Sequence, residues 1–361
     1  MATLANYIIL NEYAQDSFRY ADTTFKQILN EQTGGTITTQ VRPTDGNFFS
    51  KAVWANDANQ FKLVKPSVNT AVTAKEQRRL QCIDIKCAGN MGQFEWQSIA
   101  ARWVGISPEE QAAVWGRTVA ESIMRTKIEL LVGGLVATFC KALSAGGSTG
   151  AKDTEIEKVV QDESGSTAAN DKRMDLAKLV KGQGLFGDAW GMLNGAIMHS
   201  GAYFNMYAEN LRSFSEVFMY GNSFVTRAPT GLMIFVTDVP ALKYVESSVT
   251  KYRTLFLRPM AATIYENADH EMLIDRTTGT EWINTTAQAQ QTFNIGISGM
   301  TWANVANVEP ITGTTAATGK LAGLHTNAGV IDNPGSWERI GTDETRPITF
   351  KELPGAMMIT Q

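Results

Sequence analysis

The sequence predicts an α+β fold, and three observations carry that expectation. One long helix opens at Ser107-Pro108-Glu109-Glu110, short strand patterns crowd the chain beyond about residue 230, and a helix–strand–helix unit fills Gly187 to Phe214. The chain has 361 residues, enough for about two domains and a sizeable core.

Residues 5 to 30 read as helix, with Tyr13, Phe18, Phe25, Ile28 and Leu29 on apolar stripes. Thr33-Gly34-Gly35 stops it. The period then changes to two. Thr36 to Val41 reads as a strand and Pro43-Thr44-Asp45-Gly46 as a turn. Asn47 to Thr73 is polar and strand-like. It lacks the apolar area to offset its own ordering entropy, so it reads as an extended arm that needs a partner surface. Leu80 to Cys87 alternates as a strand, with Cys82 and Cys87 five apart and therefore on opposite faces.

Ser107-Pro108-Glu109-Glu110 is a capping box with proline at the first helical position. Apolar residues recur at Trp115, Val119, Ile123, Ile128, Leu131, Leu135 and Phe139, up to Ser144-Ala145-Gly146-Gly147. At about 1.5 Å per residue the helix spans about 54 Å. Gly133-Gly134 is a candidate bend. Without heptads flanked by charge pairs, the helix reads as a spine laid on a sheet.

Glu155–Val160 follows as a strand candidate and Met174–Lys181 as a helix. In the Gly187 unit a short helix leads to a buried strand, Ala196 to Ser200. A helix from Ala202 to Leu211 then stacks Tyr203, Tyr207 and Leu211 on one face. Strand patterns recur at Leu232–Val236, Thr254–Leu257, Ala262–Tyr265, Phe293–Trp302 and Ile348–Lys351. Ile311 to Asn333 is a Gly/Thr/Ala-rich loop, and Trp337-Glu338-Arg339 reads as a late strand.

Charged residues make up only 19% of the chain, which suits a protein that hides surface against other subunits and equally an ordinary enzyme. A net charge of −4 gives no global basic field for gripping nucleic acid. The one compact basic cluster, Lys75-Glu76-Gln77-Arg78-Arg79, reads as a solvated face. Three cysteines are too few for a disulfide framework and suit a reducing cytosol. Neither Tyr7–Leu10 nor Leu130–Cys140 is long enough for a signal peptide core or a membrane span, so the expectation is a soluble, cytoplasmic product.

The chemical motifs are weak. Gly182-Gln183-Gly184-Leu185-Phe186-Gly187 matches G-x-G-x-x-G, but a helix pattern precedes it where the dinucleotide site needs a strand. His199-Ser200 would point to opposite faces of a strand and lacks the G-x-S-x-G elbow, as does Gly296-Ile297-Ser298-Gly299. His199, His270 and His325 form no ligand pair, and Asp269-His270-Glu271 with Asp275 reads as a charged loop. No catalytic residue, cofactor site or metal ligand is assigned.

The order of elements resembles one family, the tailed-bacteriophage major capsid proteins of the HK97-like fold. Leu29-Asn30-Glu31-Gln32-Thr33-Gly34-Gly35-Thr36-Ile37 is similar to the family's passage into its extended loop. The spine from Ser107, Gly187-Asp188, Met198-His199-Ser200 with Tyr203 and Glu209-Asn210-Leu211, Lys251 to Phe256, and Gly299-Met300-Thr301-Trp302 follow in the family's order.

The resemblance implies an N-arm at 1–35 and an E-loop at 36–80 lying over a neighbouring subunit. It implies a P-domain at 81–172 (spine about 107–144) with return strands at 249–305. It places an A-domain at 173–248, with 306–361 as a C-terminal segment partly in the A-domain, to which Trp337–Arg339 returns. The implied function is a non-enzymatic shell subunit, without cofactor. It assembles as hexamers and pentamers into an icosahedral virion in the host cytoplasm, around double-stranded DNA bound without sequence specificity. Implied partners are other copies of itself and a portal, with a separate scaffolding protein or none and decoration proteins left open, and with no membrane. Family members can carry a Lys–Asn cross-link; Lys51 and Lys62 lie in the E-loop, but nothing in the sequence identifies a partner. An encapsulin-like compartment and a soluble α+β enzyme are the alternatives.

Overall fold

The computed structural model describes residues 2–43, 48–54, 79–97, 105, 107–142, 153–165, 172–209, 215–220, 223–228, 230–267, 270–277, 284–302, 331–341 and 348–361. The basic residues 75–78, Lys62, Asp269, His325 and most of the loop at 311–333 lie outside them.

Helix α1 (Ala2–Gln27) buries Leu10, Ala14, Phe18 and Phe25 at helical spacing. A π-turn, Ile28–Gln32, ends it. Gly34 and Gly35 follow at φ +68° and +69°, a left-handed backbone that glycine adopts without a Cβ clash. Strands β1 (Ile37–Val41), β2 (Phe48–Trp54) and β3 (Arg79–Gln97) come next.

Helix α2 (Pro108–Cys140) is the expected spine, about 50 Å long. Ser107 caps it, its hydroxyl accepting from the Glu110 amide at 3.1 Å. The first half of α2 packs Ala112, Trp115, Val119 and Ala120 against α1. Gly116 lets the two backbones touch, because a Cβ there would overlap the Ala14 carbonyl. The second half, from Leu131 to Phe139, is buried without a break. The helix continues unbroken past Gly133-Gly134, and these glycines serve close approach. A Cβ on Gly133 would overlap the Asp332 carboxylate, and one on Gly134 would meet Ile331, Ile297 and Trp337 at 3.1–3.3 Å.

The region read as a strand at Glu155–Val160 is a helical turn, Thr154–Glu157, and only Val160–Asp162 (β4) is strand. Asp153 decides this, because its carboxylate accepts from the amides of Glu155 and Ile156 and caps the turn. Helix α3 (Leu176–Gly184), a 3₁₀ turn (Gly187–Met192), β5 (Gly195–Met198) and α4 (Ser200–Glu209) form the expected helix–strand–helix unit.

The remaining strands are β6 (Ser215–Tyr220), β7 (Ser223–Arg227), β8 (Met233–Val236), β9 (Lys243–Glu246), β10 (Val249–Leu257), β11 (Ala262–Glu266), β12 (Glu271–Thr277), β13 (Asn284–Ile297), β14 (Met300–Trp302), β15 (Trp337–Arg339) and β16 (Gly355–Thr360).

Two sheets organise the chain. The first runs β1-β11-β13-β3-β2, with β12 also on β13. Only β1 and β11 are parallel. The second runs β4-β16-β10-β5-β8-β7-β6, with β9 folded back on β10. On one face of β10, Phe256 lies under Gly182 of α3 and Tyr252 under Gly201 of α4; a Cβ on either glycine would clash. On the other face, Arg253 lines a cavity with Gly133, Val136 and Cys140 of α2. The spine thus covers one side of this sheet and α3 with α4 the other.

Residues 249–305 divide between the sheets, with β10 in the second and β11 to β13 in the first. The late strand β15 pairs with β14, and Trp337 packs edge-on to Trp302 with ring centroids 5.3 Å apart. It joins neither large sheet. Ile348–Lys351 is not a strand. Thr349 and Glu352 form a capping box that winds Phe350–Glu352 into a 3₁₀ turn. The strand lies further on, at β16. All six of its residues are buried, between β4 and β10.

Candidate assembly interface

No catalytic constellation forms where the sequence offered one. His199 follows β5 and Ser200 opens α4. His199 Nδ1 accepts from the Gly201 amide at 3.0 Å, and the Asp238 carboxylate accepts from the Ser200 amide at 3.2 Å. Both side chains satisfy helix-end amides, which is a capping role. Burial holds the His199 imidazole below its ordinary pKa, with Asp238 opposing. Gly182 and Gly184 lie in the last turn of α3, with no strand before them. The His270 ring stacks on Phe18, centroids 3.9 Å apart. Among the described residues no three His, Cys, Asp or Glu side chains gather as a metal site.

What the structure does build is a ribbon at the edge of the first sheet and the root that holds it. From Ile85 to Gln97, β3 pairs with β13 in the body of the first sheet. From Arg79 to Ile85 it pairs instead with β2, as a two-stranded ribbon. Ile85 is the switch point, opposite both Phe48 and Ile295. The vacated edge of β3 is met by β14: Ile83 N–H donates to Thr301 Oγ1 at 3.0 Å, and the Cys82 thiol donates to the Met300 carbonyl at 3.1 Å. Leu80 and Cys82 pack with Ile340 and Ile348, while Cys87 joins the main core. The two cysteines therefore face opposite ways, as their spacing predicts.

A charged row crosses this root. Lys51 Nζ of β2 donates to Asp84 Oδ2 of β3 at 2.9 Å. Asp84 is fully buried, and its carboxylate lies over Gly296 of β13, 2.7 Å from where a Cβ would sit. Lys51 Nζ also lies 5.4 Å from the Tyr265 ring centroid on β11. Burial raises the Asp84 pKa, with Lys51 opposing. Burial alone would lower Lys51, but the adjoining Asp84 carboxylate more than offsets this and holds the ammonium above its ordinary pKa. Burial, then the Asp84 charge, pushes the Cys82 thiol to about 12, so it is an inert donor rather than a nucleophile.

A second charged group clips α1 to the body. Lys127 Nζ of α2 lies 2.6 Å from Glu266 Oε1 of β11, and Lys26 of α1 bridges Asp22 and Glu266. Lys26, Lys127 and Glu266 are far apart in sequence and meet only in the fold. Lys127 does carry a signal: it falls on the apolar stripe of α2, next to Ile128 and between Met124 and Leu131.

The outward faces are partly apolar. A groove of about 630 Å³ between α1 and α2 is lined by Tyr20, Ala21, Thr24, Ala113, Val114 and Arg117 among others. Tyr20 is 79% and Val114 62% exposed there. Val180, Trp190 and Met192 are exposed around the turn that follows α3. Large exposed apolar side chains grouped this way mark contact surfaces. No described helix is long and apolar enough to cross a membrane.

No curated protein matches the sequence. Among solved structures, the capsid of Ralstonia phage GP4 is similar with a TM-score of 0.50 at 8% identity, covering 74% of this chain and 84% of that one. The Cyanophage Pam1 capsid asymmetric unit has a TM-score of 0.47 at 8% identity, over 71% and 81% of the two chains. The SrpI encapsulin complex of Synechococcus elongatus has a TM-score of 0.40 at 9% identity, over 72% and 80%. At such identities the likeness of GP4 concerns the fold, which is the HK97-like α+β fold. The family model described as "Major capsid protein 13-like" matches residues 6–320. The chain belongs to the major capsid protein 13-like family.

Proposed function

We propose that this major capsid protein assembles as hexamers and pentamers into an icosahedral phage head around double-stranded DNA. The family match over residues 6–320 carries the reading. Closed shells repeat the same subunit surfaces in slightly different surroundings, which demands elements that flex at their roots. The β2–β3 ribbon is such an element, because beyond Ile85 it leaves β13 behind.

The sheets support a division of labour. Residues 1–35 act as an N-arm, held on strand β11 of the body by the Lys26–Glu266 clip. The E-loop of 36–80 is anchored by β1 in the body, and from Phe48 it continues as the β2–β3 ribbon, whose root is held at Leu80, Cys82 and Asp84. The P-domain consists of 81–172 with the strands from β11 to β14. The A-domain consists of 173–248 together with β10 and β16, which share its sheet. The E-loop lies over a neighbouring subunit, where strand pairing and apolar contact replace what the arm lacks. The protein performs no catalysis. Its partners are other copies of itself and a portal, and it assembles in the host cytoplasm with a separate scaffolding protein or with none.

Negative-stain microscopy of the expressed protein, alone and with neighbouring phage genes, tests this. Shells that take up DNA through a portal are expected. Shells holding bound protein cargo would favour an encapsulin-like compartment, and a discrete small oligomer under every condition would overturn the proposal.

A further inference from the structure

The switch point of β3 poses a mechanical problem. A two-stranded ribbon leaving a sheet is free to twist and splay about the last residue that is still paired on both sides. Here that residue is Ile85. The strand positions beyond it need something on the body to push against if the arm is to leave at a fixed angle.

The residues at the root supply this. Asp84 is the first position past the switch, and its carboxylate does not point along the arm. It lies back over β13, in the space that Gly296 leaves by having no side chain. Lys51 sits on the arm's outer strand, opposite Cys82 and diagonal to Asp84. Its ammonium closes on the Asp84 carboxylate at 2.9 Å and reaches the Tyr265 ring of β11. The contact therefore joins the outer strand of the arm to strands of the body that it does not pair with. The two tethers to β14 and the packing of Leu80 and Cys82 on Ile340 and Ile348 act on β3, whereas Lys51 acts from β2.

We propose that Lys51 and Asp84, seated on Gly296, are positioning residues that fix the angle at which the arm leaves the subunit, and so the regularity of the shell. This rests on the assembly reading above. Lysine suits the role because one charge on a long stem spans from β2 across β3, and burial of its partner makes the pair costly to open. A surface pair would slip under salt and thermal motion.

The experiment compares the parent with Lys51→Arg and with the double variant Lys51→Met/Asp84→Asn, which removes both charges and leaves no buried ion. Three properties are measured: thermal melting of the unassembled subunit, amide exchange of β2, and particle diameters by microscopy. The expected result for the double variant is parental melting and body protection, about tenfold faster exchange in β2, and a loss of uniform particles to mixed diameters and open sheets. Lys51→Arg restores uniform particles. Double-variant particles with the parent's diameter and yield, or unchanged exchange in β2, would overturn the inference. Failure of the parent itself to form shells would instead overturn the assembly reading. Should the double variant not fold, Gly296→Ala displaces the Asp84 carboxylate without altering a charge and is expected to give the same mixed particles. Uniform particles from it would equally overturn the inference.

Discussion

The Lys127 ammonium of α2 lies 2.6 Å from the Glu266 carboxylate of β11, and the two side chains are only 1% and 4% exposed. Lys26 adds a second cation from α1, so one carboxylate joins the N-terminal helix, the spine and the sheet. Removing one member leaves the others buried with charge unmatched. Lys127→Met is expected to destabilise the unassembled subunit by about 3 kcal/mol, read as an earlier midpoint in urea. Burial would raise the Glu266 pKa, but Lys127 and Lys26 outweigh it and hold the group below its ordinary value. The Glu266 contribution is therefore present at neutral pH and lost as pH falls through its depressed pKa, whereas burial lowers the Lys127 pKa and raises that of Asp22, so those two groups oppose it. A midpoint equal to the parent's would show that the clip contributes nothing.

Asp332 has the opposite sign. Partial burial beside Gly133 raises its pKa from 3.8 to about 6, with Arg253 opposing. The folded subunit then binds more protons than the unfolded chain between these values, so this group's contribution falls as pH rises through that window. Asp332→Asn is expected to make the slope of unfolding free energy against pH more positive between about pH 4 and about pH 6. Denaturant titrations of both proteins at the two ends give the comparison, and parallel slopes would remove Asp332 from the account.

Gly116 is where α1 and α2 touch through their backbones. Gly116→Ala places a methyl group onto the Ala14 carbonyl. Overpacking of this kind costs about 1–3 kcal/mol. The variant is expected to melt earlier and to be cut faster by protease within α1. An unchanged melting temperature would mean that the helices separate without penalty.

The arm is tested by replacing residues 55–78 with a short Gly/Ser turn that keeps β2 and β3. The subunit is expected to fold with the parent's melting temperature and to give no stable shells. Normal particles from this protein would refute the role assigned to the E-loop.

Legibility followed local signals. The spine was readable because Ser107 and Pro108 mark its start and its stripe persists to Phe139. The unit from α3 to α4 was readable because glycines punctuate it. β16 was missed because Ala356 to Ile359 is a short apolar run buried on both faces, which has no period to detect. The turn at Thr154 was misread because Asp153 outcompetes the strand pattern after it. The two charged groups were invisible for another reason. Lys51, Asp84, Lys127 and Glu266 become partners only through strand order, and sequence spacing does not encode strand order. Lys127 could have been flagged, since a lysine on an apolar stripe needs a buried anion.

The position of β16 has a consequence in time. It fills the gap between β4 and β10, and about 200 residues of chain separate β4 from it. At about 5–20 residues per second, β4 waits about 10–40 s for its partner to be synthesised. Until then both flanking strands have an open edge, and an unpaired edge invites pairing with a foreign chain. The second sheet therefore stays open in its middle for the whole of that interval, and β4 and β10 must be kept apart from other chains until β16 arrives.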